Sequence, residues 1–323
     1  MTVSIIIPTF NAERYIRRSL LSALAAGARV PGRWEIVAVD NGSTDRTVAF
    51  LEQAVREHPA QLRLIHCTQR GAPAARNYGA RHSSGEWLQF LDADDTIAPE
   101  KICRQLLLAG TADWVIGAYR HLYADGSTED SLPHPDPWRG LFHNYRTGHT
   151  ISNLVRRPAF DRIGGWDESL RSNQDPDLHF RLLRAGVPFV LDSVVGSFYY
   201  HHHGPRIVGS DPGGAMQRRI QMLAAANAFL IDTRPEYWHE HAPFFLGALL
   251  RAVRMLATYD LPSAIEAYGA YFGHPNDWAI NRPYQLVPRY TRLYPYLGFR
   301  TLERLRLSLA GVIPDPLKRM LKS

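Results

Sequence analysis

The chain opens on a run of apolar, mostly β-branched positions, Val3 to Ile7, closed by Pro8. From Asn11 to Ala26 the residues Tyr15, Ile16, Leu20 and Leu24 recur at helical spacing, so this stretch predicts a helix with one buried face. Asn11 stands where it can cap that helix. The alternation then repeats. Glu35–Val39 predicts a second strand. Thr44 to about Glu57 predicts a helix capped by Ser43, with Asp45 favourable in its first turn. Arg63–His66 predicts a strand, Ala72–Arg81 a helix, Trp87–Leu91 a strand, Pro99 the start of another helix, and Trp114–Gly117 a fifth strand. Strands alternating with helices imply βαβ units and a mostly parallel sheet.

After about Tyr119 the pattern loosens. Asp125-Gly126 between Arg120–Tyr123 and Ser127–Glu129 predicts a hairpin turn, and Pro133, Pro135 and Pro137 mark a loop. Thr150–Val155 and Val194–Tyr200 predict strands; Pro158–Ile163 and Asp177–Arg184 predict helices. From Ala215 onward strand signals stop, and Ala215–Ile231, Trp238–Tyr259 and Pro262–Phe272 read as helices. A boundary near Gly213-Gly214 therefore separates an α/β body, residues 1–214, from a helical extension, residues 215–323.

Composition narrows the class. With 45% apolar residues in 323, the chain is not a disordered one and can bury a core without disulfides. Its two cysteines, Cys67 and Cys103, exclude a disulfide scaffold and a multi-cysteine zinc module. No uninterrupted apolar stretch is long enough to span a bilayer, and Met1-Thr2-Val3-Ser4-Ile5 has no basic leader, so a cytoplasmic location is expected. The formal charge of +6 raises a nucleic-acid partner, but its distribution argues against one. Residues 282–323 carry nine basic and two acidic residues, net +7, which leaves the other 281 residues at −1.

The candidate chemistry lies at strand ends, where open α/β sheets bind ligands. The first strand runs into Pro8-Thr9-Phe10-Asn11, the second into Asp40-Asn41-Gly42-Ser43-Thr44-Asp45, and the fourth into Asp92-Ala93-Asp94-Asp95. Three carboxylates within four residues repel one another unless donors or a cation attend them, and a divalent ion bridging to phosphate oxygens meets that need. A solvated loop with a helix cap is the plain alternative. Neither G-x-G-x-x-G after the first strand nor G-x-x-x-x-G-K-[ST] occurs, so a nucleotide must be held by another scheme.

Ser4-Ile5-Ile6-Ile7-Pro8-Thr9-Phe10-Asn11, Val39 to Asp45, Gly71-Ala72-Pro73-Ala74-Ala75-Arg76-Asn77 and Leu91 to Asp95 resemble, in order and spacing, the inverting family 2 glycosyltransferases. Gly164-Gly165-Trp166-Asp167-Glu168 is similar to the family's G-G-F-D-E segment. Gln174-Asp175 with Asp177-Leu178 and Arg181 is similar to its E-D-x-D-L-x-x-R segment. The resemblance covers roughly residues 2–210. It implies a GT-A fold, with a nucleotide-sugar half over about residues 1–117 and an acceptor half over about 118–214. It implies a donor pocket lined by Pro8, Thr9, Asp40, Arg70, Arg76, Asn77, Asp92, Ala93 and Asp94, with Asp94 ligating Mn²⁺ or Mg²⁺. It implies Asp175 as the general base. Tyr200-His201-His202-His203 resembles the family's Y-R-x-H pattern, with His201 where arginine is usual, and this implies His203 as a further metal contact; surface histidines at a strand end are the alternative.

Gln174 departs from the family, where glutamate is usual. Removing a neighbouring like charge should lower the pKa of Asp175, and the amide can alter acceptor choice. Trp166 and Asp167 form an acceptor wall or, alternatively, a core residue and a cap. The resemblance implies transfer of one sugar from a nucleotide-diphosphate sugar to a glycan or lipid-linked glycan of a bacterial envelope. The Q-x-x-R-W motif and spanning helices of processive synthases are missing, which favours single addition. Two rivals remain: a catalytically silent nucleotide-sugar-binding protein, and a sugar-1-phosphate nucleotidyltransferase. In the tail, Leu302, Leu305, Leu309, Leu317 and Leu321 alternate with Arg304, Arg306, Lys318 and Arg319. That pattern suits peripheral contact with an anionic membrane, or a helix packed on the body or in a homodimer.

Overall fold

The structure is a computed structural model and describes residues 1–143, 146–201, 211–272 and 286–310. It falls into two compact units, Met1–Pro205 and Arg206–Ser323.

In the first unit, strand β1 (Thr2–Thr9), helix α1 (Ile16–Gly27), β2 (Arg33–Asp40), α2 (Thr47–Glu57), β3 (Leu62–His66), α3 (Ala72–Arg81) and β4 (Trp87–Phe90) follow in strict alternation. Then come β5 (Thr96–Ile97), α4 (Lys101–Ala109), β6 (Trp114–Gly117), β7 (Tyr119–Leu122), β8 (Thr128–Ser131) and α5 (Pro137–Phe142). The unit closes with β9 (Leu154–Arg156), α6 (Arg157–Arg162), α7 (Gln174–Arg184), β10 (Phe189–Asp192) and β11 (Ser197–Tyr200). The main sheet has the order β10-β6-β9-β4-β1-β2-β3. Only β9 runs antiparallel to its neighbours β4 and β6. A small second sheet has the order β5-β11-β7-β8.

The chain leaves β1 toward β2 and β3 on one side and reaches β4 on the other. The crevice at that switch point lies between the carboxyl ends of β1 and β4, the two ends that carry Thr9–Asn11 and Asp92–Asp95. Val3, Ile5, Ile7, Ile36 and Ala38 are fully buried and pack with Ile16 and Leu20 of α1, which fixes the sheet against that helix. Helix α3 lies unusually close to the other face. A Cβ on Gly79 would come within 2.5 Å of Ile6 Cγ2, so only glycine lets α3 seat and hold Arg76 over the strand ends.

Several local expectations are corrected. Asn11 does not cap α1; it takes a left-handed φ of 48° and its side chain accepts from the Thr44 N–H at 2.8 Å. Ser43 does not cap α2 either, because its hydroxyl accepts from the Asn11 N–H at 3.0 Å. These bonds stitch the β1 and β2 loops together. The proline-rich loop contains α5, capped by the Asp136 carboxylate on the Trp138 and Arg139 N–H groups. The strand expected from Thr150 begins only at Leu154. The preceding segment is turned by Ser152 Oγ accepting from the His149 N–H at 2.8 Å.

The second unit contains α8 (Pro212–Thr233), α9 (Pro235–Leu256), α10 (Leu261–Phe272), a 3₁₀ turn (Arg289–Leu293), α11 (Tyr294–Leu297) and α12 (Phe299–Ala310). Gly213 and Gly214 lie in the first turn of α8. Within this unit the fully buried Glu303 carboxylate accepts from Arg254 Nε at 3.2 Å, Arg306 Nε at 2.5 Å and the Tyr294 hydroxyl at 2.5 Å. A buried charge needs this saturation to be tolerated. Among the described residues no helix is long and apolar enough to cross a membrane.

Candidate active site

Arg76 is the hub of the crevice. It projects from α3 and is 5% exposed. One Nη donates to Asp92 Oδ1 at 2.6 Å, the other to Gln174 Oε1 at 2.9 Å, and the guanidinium lies 4.8 Å from the Trp166 ring centre. Burial works against its charge, but Asp92, Asp175 and Asp94 outweigh burial and raise its pKa further. Residues 16 and 98 positions distant in sequence thus meet on one side chain.

Asp175 lies in the first turn of α7, where a helix favours a carboxylate. Thr150 Oγ1 donates to its Oδ1 at 2.5 Å, and His149 Nε2 is 3.9 Å from its Oδ2. Burial would raise this carboxyl, but His149, the Arg76 guanidinium and the Thr150 hydroxyl hold it below the usual carboxylate range. It is therefore ionised at neutral pH, and with its side chain 14% exposed it is still reachable. Gln174 accepts from Arg76 and donates to the Leu170 carbonyl at 3.1 Å. An amide there takes Arg76's N–H without adding a second negative charge beside Asp175.

The carboxylates after β4 divide their work. Asp95 is 1% exposed and its Oδ1 accepts from the Tyr200 N–H at 2.9 Å, while its Oδ2 is buried with no partner. Burial, then the charges of Asp94 and Asp92, push its carboxyl well above the usual range. His149 Nδ1 is likewise buried without a partner. Ligand atoms of Asp92, Asp95 and His149 lie within 4.8 Å of one another. Two carboxylates, an imidazole and two unsatisfied buried acceptors or donors fit a divalent ion. Asp94 is half-buried beside this group, and its carbonyl accepts from Arg18 Nη2 at 2.6 Å. Ala93 between them is buried. His203 lies outside the described residues. His149 and Thr150 are functional candidates that nothing in the sequence singles out, and Asp95 stands in the sequence only as the third carboxylate of its run.

Other sequence-selected residues occupy the neighbouring loops. The buried Asp40 carboxylate accepts from the Gly42 and Ser43 N–H groups, each at 3.1 Å, and so shapes the turn after β2. Burial raises its pKa, but these bonds and the Ser43 hydroxyl lower it by more. Thr9 is buried and its hydroxyl donates to the Val39 carbonyl at 3.2 Å; Pro8, just before it, is half-buried. Arg70 donates to the carbonyls of Asn41 and Gly42 and lies 5.3 Å from the Phe10 ring centre.

Asn77 and the Gly164–Glu168 segment are structural partners. Asn77 Nδ2 donates to the Trp166 carbonyl and to Glu168 Oε1, both at 2.8 Å, and the Trp166 N–H donates back to Asn77 Oδ1 at 2.9 Å. Gly165, at φ 69°, allows this approach; a Cβ there would stand 2.7 Å from Asn77 Oδ1. Trp166 is 2% exposed and meets Phe90 edge-on at 5.5 Å, while Asp167 caps the Ser169 N–H and hydroxyl. Trp166 is thus a core residue that backs Arg76, and Asp167 a cap.

His179 underlies Asp175 on α7 and is 1% exposed. Asn153 Oδ1 accepts from the Gly117 N–H, which leaves its Nδ2 to donate to His179 Nε2 at 2.8 Å. The proton therefore sits on Nδ1, facing Thr147 Oγ1 at 3.0 Å. Burial holds this imidazole down to about 4, below its unfolded value of about 6.5. The unfolded chain binds the extra proton first, so stability falls as pH drops from about 6.5 through about 4. The expected loss is about 3 kcal/mol across that window. Urea unfolding at graded pH measures it, and His179→Gln should flatten that part of the profile.

The glycosyl transferase family 2 profile matches residues 4–165, and the chain belongs to that family. An "uncharacterized glycosyltransferase" of Rickettsia felis is 29% identical over 227 residues, which are 64% of this chain and 36% of that protein. The chain thus spans about a third of that relative's length. Another, from Nostoc sp., is 36% identical over 122 residues, 38% of this chain and 37% of that protein. Among solved structures, S. aureus TarS in complex with UDP-GlcNAc superposes with a TM-score of 0.58 at 18% identity, covering 83% of this chain and 84% of that one. The mannosyltransferase PcManGT from Pyrobaculum calidifontis, in complex with GDP-Man and Mn²⁺, gives 0.54 at 21% identity, covering 96% and 86%. The fold is the GT-A arrangement that the sequence resemblance implies.

Proposed function

We propose that this chain transfers one sugar from a nucleotide-diphosphate sugar to a hydroxyl of a glycan or lipid-linked acceptor, with inversion at the anomeric carbon. The observation that carries the reading is the meeting of Asp175, Arg76 and Asp92 at the strand-end crevice, beside the Asp92, Asp95 and His149 group. Asp175 accepts the acceptor hydroxyl's proton as that oxygen bonds to the anomeric carbon; the bond to the diphosphate oxygen breaks, and the nucleoside diphosphate leaves. Thr150 fixes one oxygen of Asp175, so the other is left to face the acceptor. Arg76 holds Asp92 in place and offers positive charge to the leaving diphosphate. Asp92, Asp95 and His149, with Asp94 adjacent, would hold Mn²⁺ or Mg²⁺. When bound, the ion neutralises charge on the diphosphate. Asp40, Thr9, Pro8 and Arg70 line the base and ribose end of the donor site in this reading. TarS and PcManGT support it as proteins of this fold solved with nucleotide sugars.

A thermal-shift screen of nucleoside diphosphates, each with and without Mn²⁺, tests the donor site. One base should raise the melting temperature only when the ion is present, since a ligand of the native state stabilises by mass action. No shift with any nucleoside diphosphate would reject the reading. A silent binding protein, the second reading raised by Gln174, would show the shift without turnover.

A further inference from the structure

The stretch from Pro288 to Leu309 in the second unit has an unusual surface. Tyr296 is 82% exposed, Leu305 54%, Leu297 53%, Leu293 44% and Leu309 42%. Arg289, Arg292, Arg300 and Arg304 are exposed among them. The one acidic residue of residues 286–310 is Glu303, which is fully buried and already held by Arg254 and Arg306. On α12 the buried Phe299, Leu302 and Glu303 define one face. Arg300 and Arg304, four apart, lie on one flank of the exposed arc, and Leu305 and Leu309, also four apart, on the other.

We infer that the exposed surface of residues 289–309 is a docking surface for an anionic phospholipid bilayer, on which the chain rests without crossing. Apolar side chains that enter the acyl boundary, beside arginines that stay at the headgroups, are what such a surface selects. Charge complementarity decides among occupants. A second copy packed face to face would set these arginines against one another, because a two-fold interface brings a patch onto itself. A nucleic acid would use the arginines, and Tyr296 as a stacking ring, but leave Leu293, Leu297, Leu305 and Leu309 in water. An anionic bilayer satisfies both sets. The buried Glu303 carboxylate ties α9, α11 and α12 together beneath this surface, an arrangement already formed before it meets lipid. Such docking is independent of the transfer reaction.

Co-sedimentation of the full chain with phosphatidylcholine vesicles, with and without phosphatidylglycerol, tests it. The chain should partition onto the phosphatidylglycerol vesicles, bind phosphatidylcholine alone weakly, and release as salt rises. Each of Arg289→Gln, Arg292→Gln, Arg300→Gln and Arg304→Gln should lower partitioning about five-fold. Tyr296→Ser with Leu297→Ser should lower it at every salt concentration. These side chains are exposed, so melting should be unchanged; if a variant unfolds, the lipid and salt dependence of the unaltered chain decides alone. Equal binding to both vesicle types, or full binding by the arginine variants, would overturn the inference. So would a dimer in solution that the leucine and tyrosine changes dissociate while lipid binding is absent.

Discussion

Asp175→Asn should lower the rate of sugar transfer by about 10²–10⁴-fold, the range that a positioned general base contributes. The change keeps the shape of the side chain, and its amide oxygen can still accept from Thr150 Oγ1. Binding of the nucleoside diphosphate should therefore be unchanged, so the loss falls in kcat. Near-normal turnover would mean that another group takes the acceptor proton. The depressed carboxyl pKa adds a sign: activity should persist on the acid side until pH falls below the usual carboxylate range, because Asp175 stays ionised there.

Arg76→Met should destabilise the first unit by about 3 kcal/mol, as removal of one partner from a buried pair leaves the other uncompensated. Asp92 is then flanked by Asp94 and Asp95 with no guanidinium at 2.6 Å, and Gln174 loses its donor. Asp92 retains 21% of its side-chain exposure, which places the cost at the lower end for such pairs. Arg76→Lys keeps the charge but cannot reach both Asp92 and Gln174 as a fork, so it should recover only part of the loss. Added Mn²⁺ should restore some stability to Arg76→Met by returning positive charge beside Asp92. Urea unfolding of the three proteins, with and without Mn²⁺, measures this; equal midpoints for Arg76→Met and the unaltered chain would remove Arg76 from the centre of the site.

The strand ends at Thr9, Asp40 and Asp92 were readable because three apolar runs that stop abruptly in polar residues mark the carboxyl edge of a parallel sheet, where ligands bind. Asp175 was readable only through family resemblance; its spacing alone says no more than a helix start. His149 and Thr150 carried no signal. They sit in residues 146–153, whose path is set by side-chain bonds of Ser152 and Asn153 and follows no period. Asp95 was in view as the third carboxylate of its run, yet only burial separates it from the more exposed Asp94. Asn77 and Trp166 are near the site for a structural reason: their mutual bonds are what bring the Gly164–Glu168 segment against α3. Helix α5 had a legible start in Asp136-Pro137, a cap followed by proline at the first turn, hidden by the prolines around it. Asn11 and Ser43 have capping side chains, and what redirected them is a tertiary contact between two loops 32 residues apart.

The transfer reaction is best probed by release of nucleoside diphosphate from a panel of nucleotide sugars, followed with Mn²⁺ and then with the ion chelated. Release is expected from donors of one base, lost on chelation and regained when Mn²⁺ is returned. Binding of a nucleoside diphosphate with no release from any nucleotide sugar, across glycan and lipid-linked acceptors, would contradict it.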